Sequence, residues 1–269
     1  MYRKLTYLKH NYELELVQIE EFDNKDQLTY IKEINREGTI ETRFIFDKNN
    51  NVNQEENFVD GVLSDKSEYF FNKEGSLLSH KLIIENEVIE ETNKEYTDDT
   101  ISEVMFQNGK EVQKTVTEYK KGESTAMIYE FGEFAEKKVS KESQKFTNSI
   151  VYSPDNSIIY YENYSYDESD QITKHEILNP NKELISVENY KYNQENLSEI
   201  SFSSDEESNC QRYFRDENNN VVKFEITDDN GRVVHFTNSI FDDKNREIEK
   251  VVFSDGTDNL FEIKYEKIS

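Results

Sequence analysis

The side chains able to do chemistry are common in number but never arranged for it. Four histidines, His10, His80, His175 and His235, stand singly in the chain. No two fall at metal-ligand spacing and no HExxH motif is present, so each reads as a strand or surface residue. Cys210 is the only cysteine. It excludes an intrachain disulfide and a cysteine-based metal cluster, and its context, SNCQRYF, does not mark a nucleophile. Carboxylates total 57, so a glycosidase-like pair is not excluded by counting, yet nothing singles one out. The acidic stretches Asp98–Asp99, Asp205–Glu207, Asp228–Asp229 and Asp242–Asp243 lack the DxDxDG loop with its distal Glu that binds calcium. GxSxG, Walker A and GxGxxG motifs are missing. The absence of Trp removes the usual indole platform for sugars. The expectation is a protein without catalytic residues, cofactor or metal.

What remains is electrostatics. The formal net charge is -25, a field that repels nucleic-acid backbones and anionic membrane surfaces and attracts basic partners. The acidic tips Asp98, Asp99, Asp228, Asp229, Asp242 and Asp243 are the candidate partner contacts.

Composition shows what must carry these groups. The hydrophobic fraction is 34% and the mean hydropathy -0.92. Seventeen Tyr and seventeen Phe are nevertheless far more aromatic material than a disordered chain holds. Large apolar side chains separated by polar ones are the mark of half-buried strands. Phe44 and Phe46, Tyr69 and Phe71, Tyr164 and Tyr166, Tyr190 and Tyr192, Phe224 and Ile226, and Phe261, Ile263 and Tyr265 each share a face by period-two alternation. The intervening positions are mainly polar, so one aromatic and one wet face are expected.

Turns punctuate these strands at regular intervals. Phe22 leads through DNKDQ to Leu28, Ile34 through NREGT to Ile40, Phe46 through DKNNN to Val52, and Phe71 through NKEGS to Leu77. Further on, Tyr152 leads through SPDNS to Ile158, Tyr166 through DESDQ to Ile172, and Leu178 through NPNKE to Leu184. This spacing fits a hairpin with a three-residue loop, a type I turn closed by a left-handed residue in a bulge. The third loop position is Asp26, Gly38, Asn50, Gly75, Asn156 or Asp170, residues that tolerate positive φ, with Lys182 the departure. Both prolines, Pro154 and Pro180, fall at the first loop position, where φ near -65° is wanted. Near the C-terminus the spacing lengthens, Phe214 to Val221, Ile226 to Val233, Phe241 to Ile248 and Phe253 to Leu260, which predicts four-residue loops there.

The fold class is therefore all-β, a long antiparallel β-meander of about twenty short strands. A flat sheet of that width would span roughly 90 Å, and twist disfavours it. A strongly curved, half-open or folded repeat sheet is expected. Residues 1–133 and 151–269 form two sets of hairpin repeats. Residues 134–150, with Lys137, Lys138, Lys141 and Lys145 as a basic island, are expected as an irregular or short helical connection.

The turns FIFDKNNNV, YFFNKEGSL, YSYDESDQI and YFRDENNNV resemble the tyrosine-aspartate (YD) repeats of the Rhs family, whose signature runs aromatic-x-aromatic-Asp-x-x-Gly-x-aliphatic. They are similar, more loosely, to the hairpin repeats of MORN-like antitoxin proteins. The sequence departs from the signature where Asn or Asp replaces Gly. The resemblance implies a repeat architecture and a toxin-related setting.

Taken with the charge, these readings give a non-enzymatic protein-binding module, a cytoplasmic immunity protein or antitoxin that neutralises a basic toxin domain. A structural or surface-scaffold YD-type repeat protein is the alternative. An outer-membrane barrel is set aside. No apolar run of signal-peptide length follows the first residues, and the alternate strand positions are too often Glu, Lys or Asp for lipid. No membrane and no nucleic-acid partner is expected.

Overall fold

A computed structural model describes residues 1–10, 13–254 and 256–268. Among them lie twenty-two strands, from β1 (Tyr2–His10) and β2 (Glu13–Phe22) to β21 (Glu247–Ser254) and β22 (Thr257–Lys267). Every strand pairs antiparallel with the next, so the chain is a meander, as its turn spacing predicts.

The expected half-open sheet is corrected by its two end strands. β1 also pairs with β22, from Tyr2↔Lys267 to Leu8↔Phe261. The Ile268 amide donates to the Met1 carbonyl at 3.2 Å beyond the ladder. The meander is thereby a closed barrel. Closure satisfies the backbone donors and acceptors that two free edges would expose. Leu5 and Ile263 are buried at this seam, 6% and 5% exposed.

The barrel is wide. Partner-to-partner steps around the wall return to β1 displaced by roughly twenty residues, which gives a strand tilt of about 35° and, for a circular section, a backbone diameter of about 40 Å. The accessible surface is 17571 Å², against roughly 12,000 Å² for a compact monomer of this mass. Val151 is the one large apolar side chain fully enclosed among the described residues, at 0% exposure. Burial comes instead from half-covered side chains packed edge to edge along the wall.

Turn chemistry sets the register. Asp26, Asn50, Gly75, Asn156, Asp170 and Lys182 have φ between 59° and 88°, as their loop position requires. The residue opening the loop supplies a further constraint. The Asp23 amide donates to the Gln27 carbonyl, and Asp23 Oδ1 accepts the amides of Lys25 (2.7 Å) and Gln27 (3.0 Å). Asp47, Asp167, Asn179, Asp216, Asp228 and Asp242 repeat this arrangement. An Asx side chain thus replaces the backbone partners that a loop lacks. Register shifts one residue from these loops, as between Glu21 and Phe22, mark β-bulges that increase twist and help the wall to close.

Three sequence expectations are corrected. The Ile34–Ile40 hairpin has a two-residue turn, Arg36–Glu37, with Asn35 opposite Gly38. A Cβ on Gly38 would stand 2.3 Å from Asp60 Oδ1, which itself accepts the Thr39 amide. The expected four-residue loops near the C-terminus do not occur. Arg215 pairs with Val221, Thr227 with Val233 and Phe241 with Glu247, around three-residue loops whose Asn219, Gly231 and Asn245 are left-handed. The apolar markers mislead there because a polar residue occupies one hairpin position or a bulge displaces the next apolar one. In the last of the four, Ser254 pairs with Thr257; Asp255 lies outside the described residues.

Residues 134–150 are not an irregular or helical connection. They fall in β12 (Glu133–Glu142), a tight turn at residues 143–145, and β13 (Phe146–Tyr152), paired like the rest of the wall. The basic island is neutralised locally. Lys138 pairs with Glu162, Lys141 with Glu123 and Lys145 with Glu168, and Lys137 lies over the Tyr152 ring.

Candidate functional site

The functional surface of a closed barrel is its wall, whose two faces are fixed by strand alternation. Register carries Tyr2, Phe44, Tyr69, Tyr164, Tyr190, Phe224 and Phe261 onto one face all the way round, the aromatic face. Its rings meet in cross-strand contacts. Tyr2 stacks on Phe22 at 4.8 Å, Tyr69 on His80 at 4.8 Å and Tyr164 on His175 at 4.3 Å, and Phe224 lies between Tyr213 and His235. Three of the four histidines are therefore ring partners within the sheet. The signal was present in the sequence: 69 and 80, 164 and 175, 213 and 224, and 224 and 235 share one offset, that of residues facing each other or lying diagonally across a hairpin.

The most connected polar group lies on this face. His175 Nε2 meets Glu162 Oε1 at 3.1 Å and His175 Nδ1 meets Glu188 Oε2 at 3.3 Å. Tyr164 Oη donates to Glu162 (2.8 Å), Tyr190 Oη donates to Glu188 (2.6 Å), and Lys138 pairs with Glu162. The group ties β12, β14, β15 and β16 together. Both ring nitrogens are engaged by carboxylates, so the group cross-links these strands. Among the described residues no set of three or more His, Cys, Asp or Glu side chains is placed to hold a metal.

The opposite face is not uniformly wet. It carries Ile19, Phe70, Met127, Ile150, Phe236 and Phe253 beside cross-strand ion pairs such as Lys32–Glu41 (2.8 Å), Lys81–Glu91 (3.5 Å) and Arg212–Glu225 (3.5 Å). A groove of about 660 Å³ on it runs across β1–β5 between Arg3, Tyr30, Lys32, Arg43, Ile45 and Glu56. The aromatic face in turn carries Lys4, Glu20, Lys94 and Glu103 within its strands. Either face bears charges at mid-strand, so whichever face is turned inward carries charged side chains.

The six acidic residues predicted as partner contacts do not converge. Asp98 and Asp99 lie between β8 and β9, and Asp242 and Asp243 between β20 and β21, on one rim but far apart around it. Asp228 and Asp229 lie between β19 and β20, on the other rim. Asp228 and Asp242 are engaged in their own turns. Backbone amides and Arg232 hold the Asp228 carboxyl below the usual carboxylate range, and the Arg246 side chain with backbone amides does so for Asp242. The hydroxyl of Ser153 and neighbouring amides bring Asp155, in the β13–β14 turn, down to about 2.

No protein-family model matches this sequence, and no curated protein matches it. Among solved structures, a porin-like protein from Bacteroides uniformis aligns over 98% of this chain and 96% of its own at 9% identity, with a TM-score of 0.36. The Tc holotoxin pore of Photorhabdus luminescens aligns over 96% of this chain and 18% of its own, at 11% identity and a TM-score of 0.31. Scores this low transfer no property to this chain.

The closed wall overturns the expected cytoplasmic immunity protein or antitoxin. That reading rested on a broad, curved, half-open sheet and the net charge of -25, and the β1–β22 seam shows that the sheet is closed. The cytoplasmic assignment falls with it. No helix among the described residues is long and apolar enough to cross a membrane, but a closed barrel crosses with strands.

Proposed function

We propose that this protein is a pore-like β-barrel that acts through the aqueous passage it encloses, without catalysis. The seam between β1 and β22 carries this reading. It turns a meander into a wall around a lumen, and the excess accessible surface is consistent with a lumen filled by water rather than side chains. Polar groups on both faces suit the passage of hydrophilic solutes.

The test is solution scattering of the purified protein followed by planar-bilayer recording. A hollow-cylinder profile and stepwise ionic current are expected. A profile of a filled particle would refute the hollow barrel, and a hollow particle that carries no current would refute the conduit.

Charge placement favours a second reading in that last case. Unpaired charges facing lipid cost about 2–4 kcal/mol each for Lys or Arg at the bilayer midplane and less for carboxylates, and this barrel has charged residues on both faces. A free-standing shell of YD-type hairpins would carry no such cost. The Asx-opened loops at Asp47, Asp167 and Asp216 support kinship with that repeat, because they give its aspartate a physical role.

A further inference from the structure

One hairpin tip of the barrel is built against its own local preferences. Glu130 of β11 (Glu123–Glu130) stands directly opposite Glu133 of β12, so Phe131 and Gly132 form a two-residue turn. Both turn residues have positive φ, 50° and 82°, the backbone that Asn-Gly and Asp-Gly favour. The same rim supplies the comparison. Asp60–Gly61 and Asn108–Gly109 make equivalent turns, with φ of 51° and 78° in the first and 49° and 73° in the second. Phe131 stands where they have Asp or Asn, and the Cβ of a bulky residue makes a left-handed backbone unfavourable. The other non-glycine residues at positive φ among the described ones are Asp, Asn, Gln, Glu or Lys.

Nothing in the barrel offsets this cost. Phe131 is 78% exposed, more than any other large apolar side chain described. Just below it Tyr129 and Phe134 pack edge to face at 5.7 Å, but the Phe131 ring meets no other ring among the described residues. Glu130 and Glu133 are both exposed, and like charges directly across a hairpin destabilise it. Among the described residues neither carboxylate has a cation within ion-pair distance. A strained backbone, an uncovered aromatic ring and opposed carboxylates therefore meet within residues 130–133. Local conflicts of this kind are retained where function needs them.

We infer that this tip is a docking knob: Phe131 enters an apolar pocket of a partner protein, and basic side chains around that pocket meet Glu130 and Glu133. An aromatic side chain filling a desolvated pocket is a common binding anchor, and the two carboxylates, unpaired in the free barrel, orient the approach. Other occupants fit less well. A second copy of the chain brings another net charge of -25, and an anionic bilayer repels both carboxylates. The inference does not depend on conduction through the barrel.

The test places the photoreactive residue p-benzoylphenylalanine at position 131 of the full chain, in the cells that make it. Irradiation should yield an adduct with another protein, cross-linked at a peptide whose apolar residues neighbour Lys or Arg. E130K/E133K in the same photoreactive chain keeps two like charges opposed across the hairpin, so the cost to folding stays, and it should reduce the adduct about tenfold or more. The same probe at position 108, in an equivalent turn of the same rim, should not give this adduct. F131N restores Asn-Gly and should raise the Tm of the isolated barrel by about 2–4 °C, which separates docking from folding. Adducts only with lipid or with a second copy, an adduct unchanged by the charge reversal or shared with position 108, no adduct, or a lower Tm for F131N would overturn the inference.

Discussion

A covalent bond placed across the seam tests closure, on which every functional statement depends. Arg3 of β1 stands directly opposite Glu266 of β22. Opposed residues of an antiparallel pair have Cα atoms about 4.5–5.5 Å apart, inside the range that a disulfide spans. Both side chains are at the edge of the packing: Glu266 is exposed and Arg3 makes a part-exposed ion pair with Glu21. R3C/E266C in a C210S background should therefore oxidise within one chain. The bridge closes a loop of nearly the whole protein, and chain entropy puts its stabilisation at about 5 kcal/mol. Strain usually removes part of such a gain, and half of it would raise the Tm by roughly 5–10 °C. Mobility on a non-reducing gel reads bond formation, and thermal melts of oxidised and reduced protein read the gain. An open or half-open sheet would hold the two cysteines apart. Failure to form the intrachain bond, or formation of intermolecular dimers alone, would refute the closed barrel.

Other consequences concern the turns and the wall. Asn179 Oδ1 accepts the amides of Asn181 and Glu183, so Asn179→Ala should cost about 1 kcal/mol in denaturant unfolding, whereas Asn179→Asp keeps the acceptor and most of the stability. In the same loop Lys182 is held at φ +67°, and Lys182→Gly should stabilise by about 0.5–1 kcal/mol. Val151, enclosed between β12 and β14, should lose roughly 2 kcal/mol on truncation to Ala, visible as a lower Tm. The turn carboxyls of Asp23, Asp155, Asp216, Asp228 and Asp242 have depressed pKa values in the folded chain. Their contribution is fully present above the ordinary value near 4 and is lost as pH falls toward the folded values, about 2 for Asp155. Thermal melts should therefore show little change from these groups between pH 7 and 5 and a decline below about pH 4. A series showing no decline there would count against the Asx turns.

Local features were legible in the chain because local physics decides them. The left-handed loop positions Asn50, Asn156 and Asp170, the prolines at first loop positions, and the alternation that puts Tyr69 with Phe71 and Tyr164 with Tyr166 on one face all follow from backbone sterics and strand geometry. Where that reading failed, a non-local pairing had intervened. Phe214 and Val221 looked like hairpin partners until Arg215 took the place opposite Val221. Residues 134–150 looked irregular because their tight turn at residues 143–145, closed by the Ser143 amide on the Phe146 carbonyl, carries no Gly, Asn or Asp to mark it.

The sequence by itself determined an antiparallel meander of short hairpins, its turn chemistry and its acidity, since each depends on contacts within about a dozen residues. Tertiary structure alone decided that β1 meets β22 across the full length of the chain. Small increments of twist, bulge and register summed over twenty-two strands bring the ends together, and no single hairpin encodes that sum. The same closure separated the predicted acidic contacts onto opposite rims, and it replaced an open binding surface with a lumen.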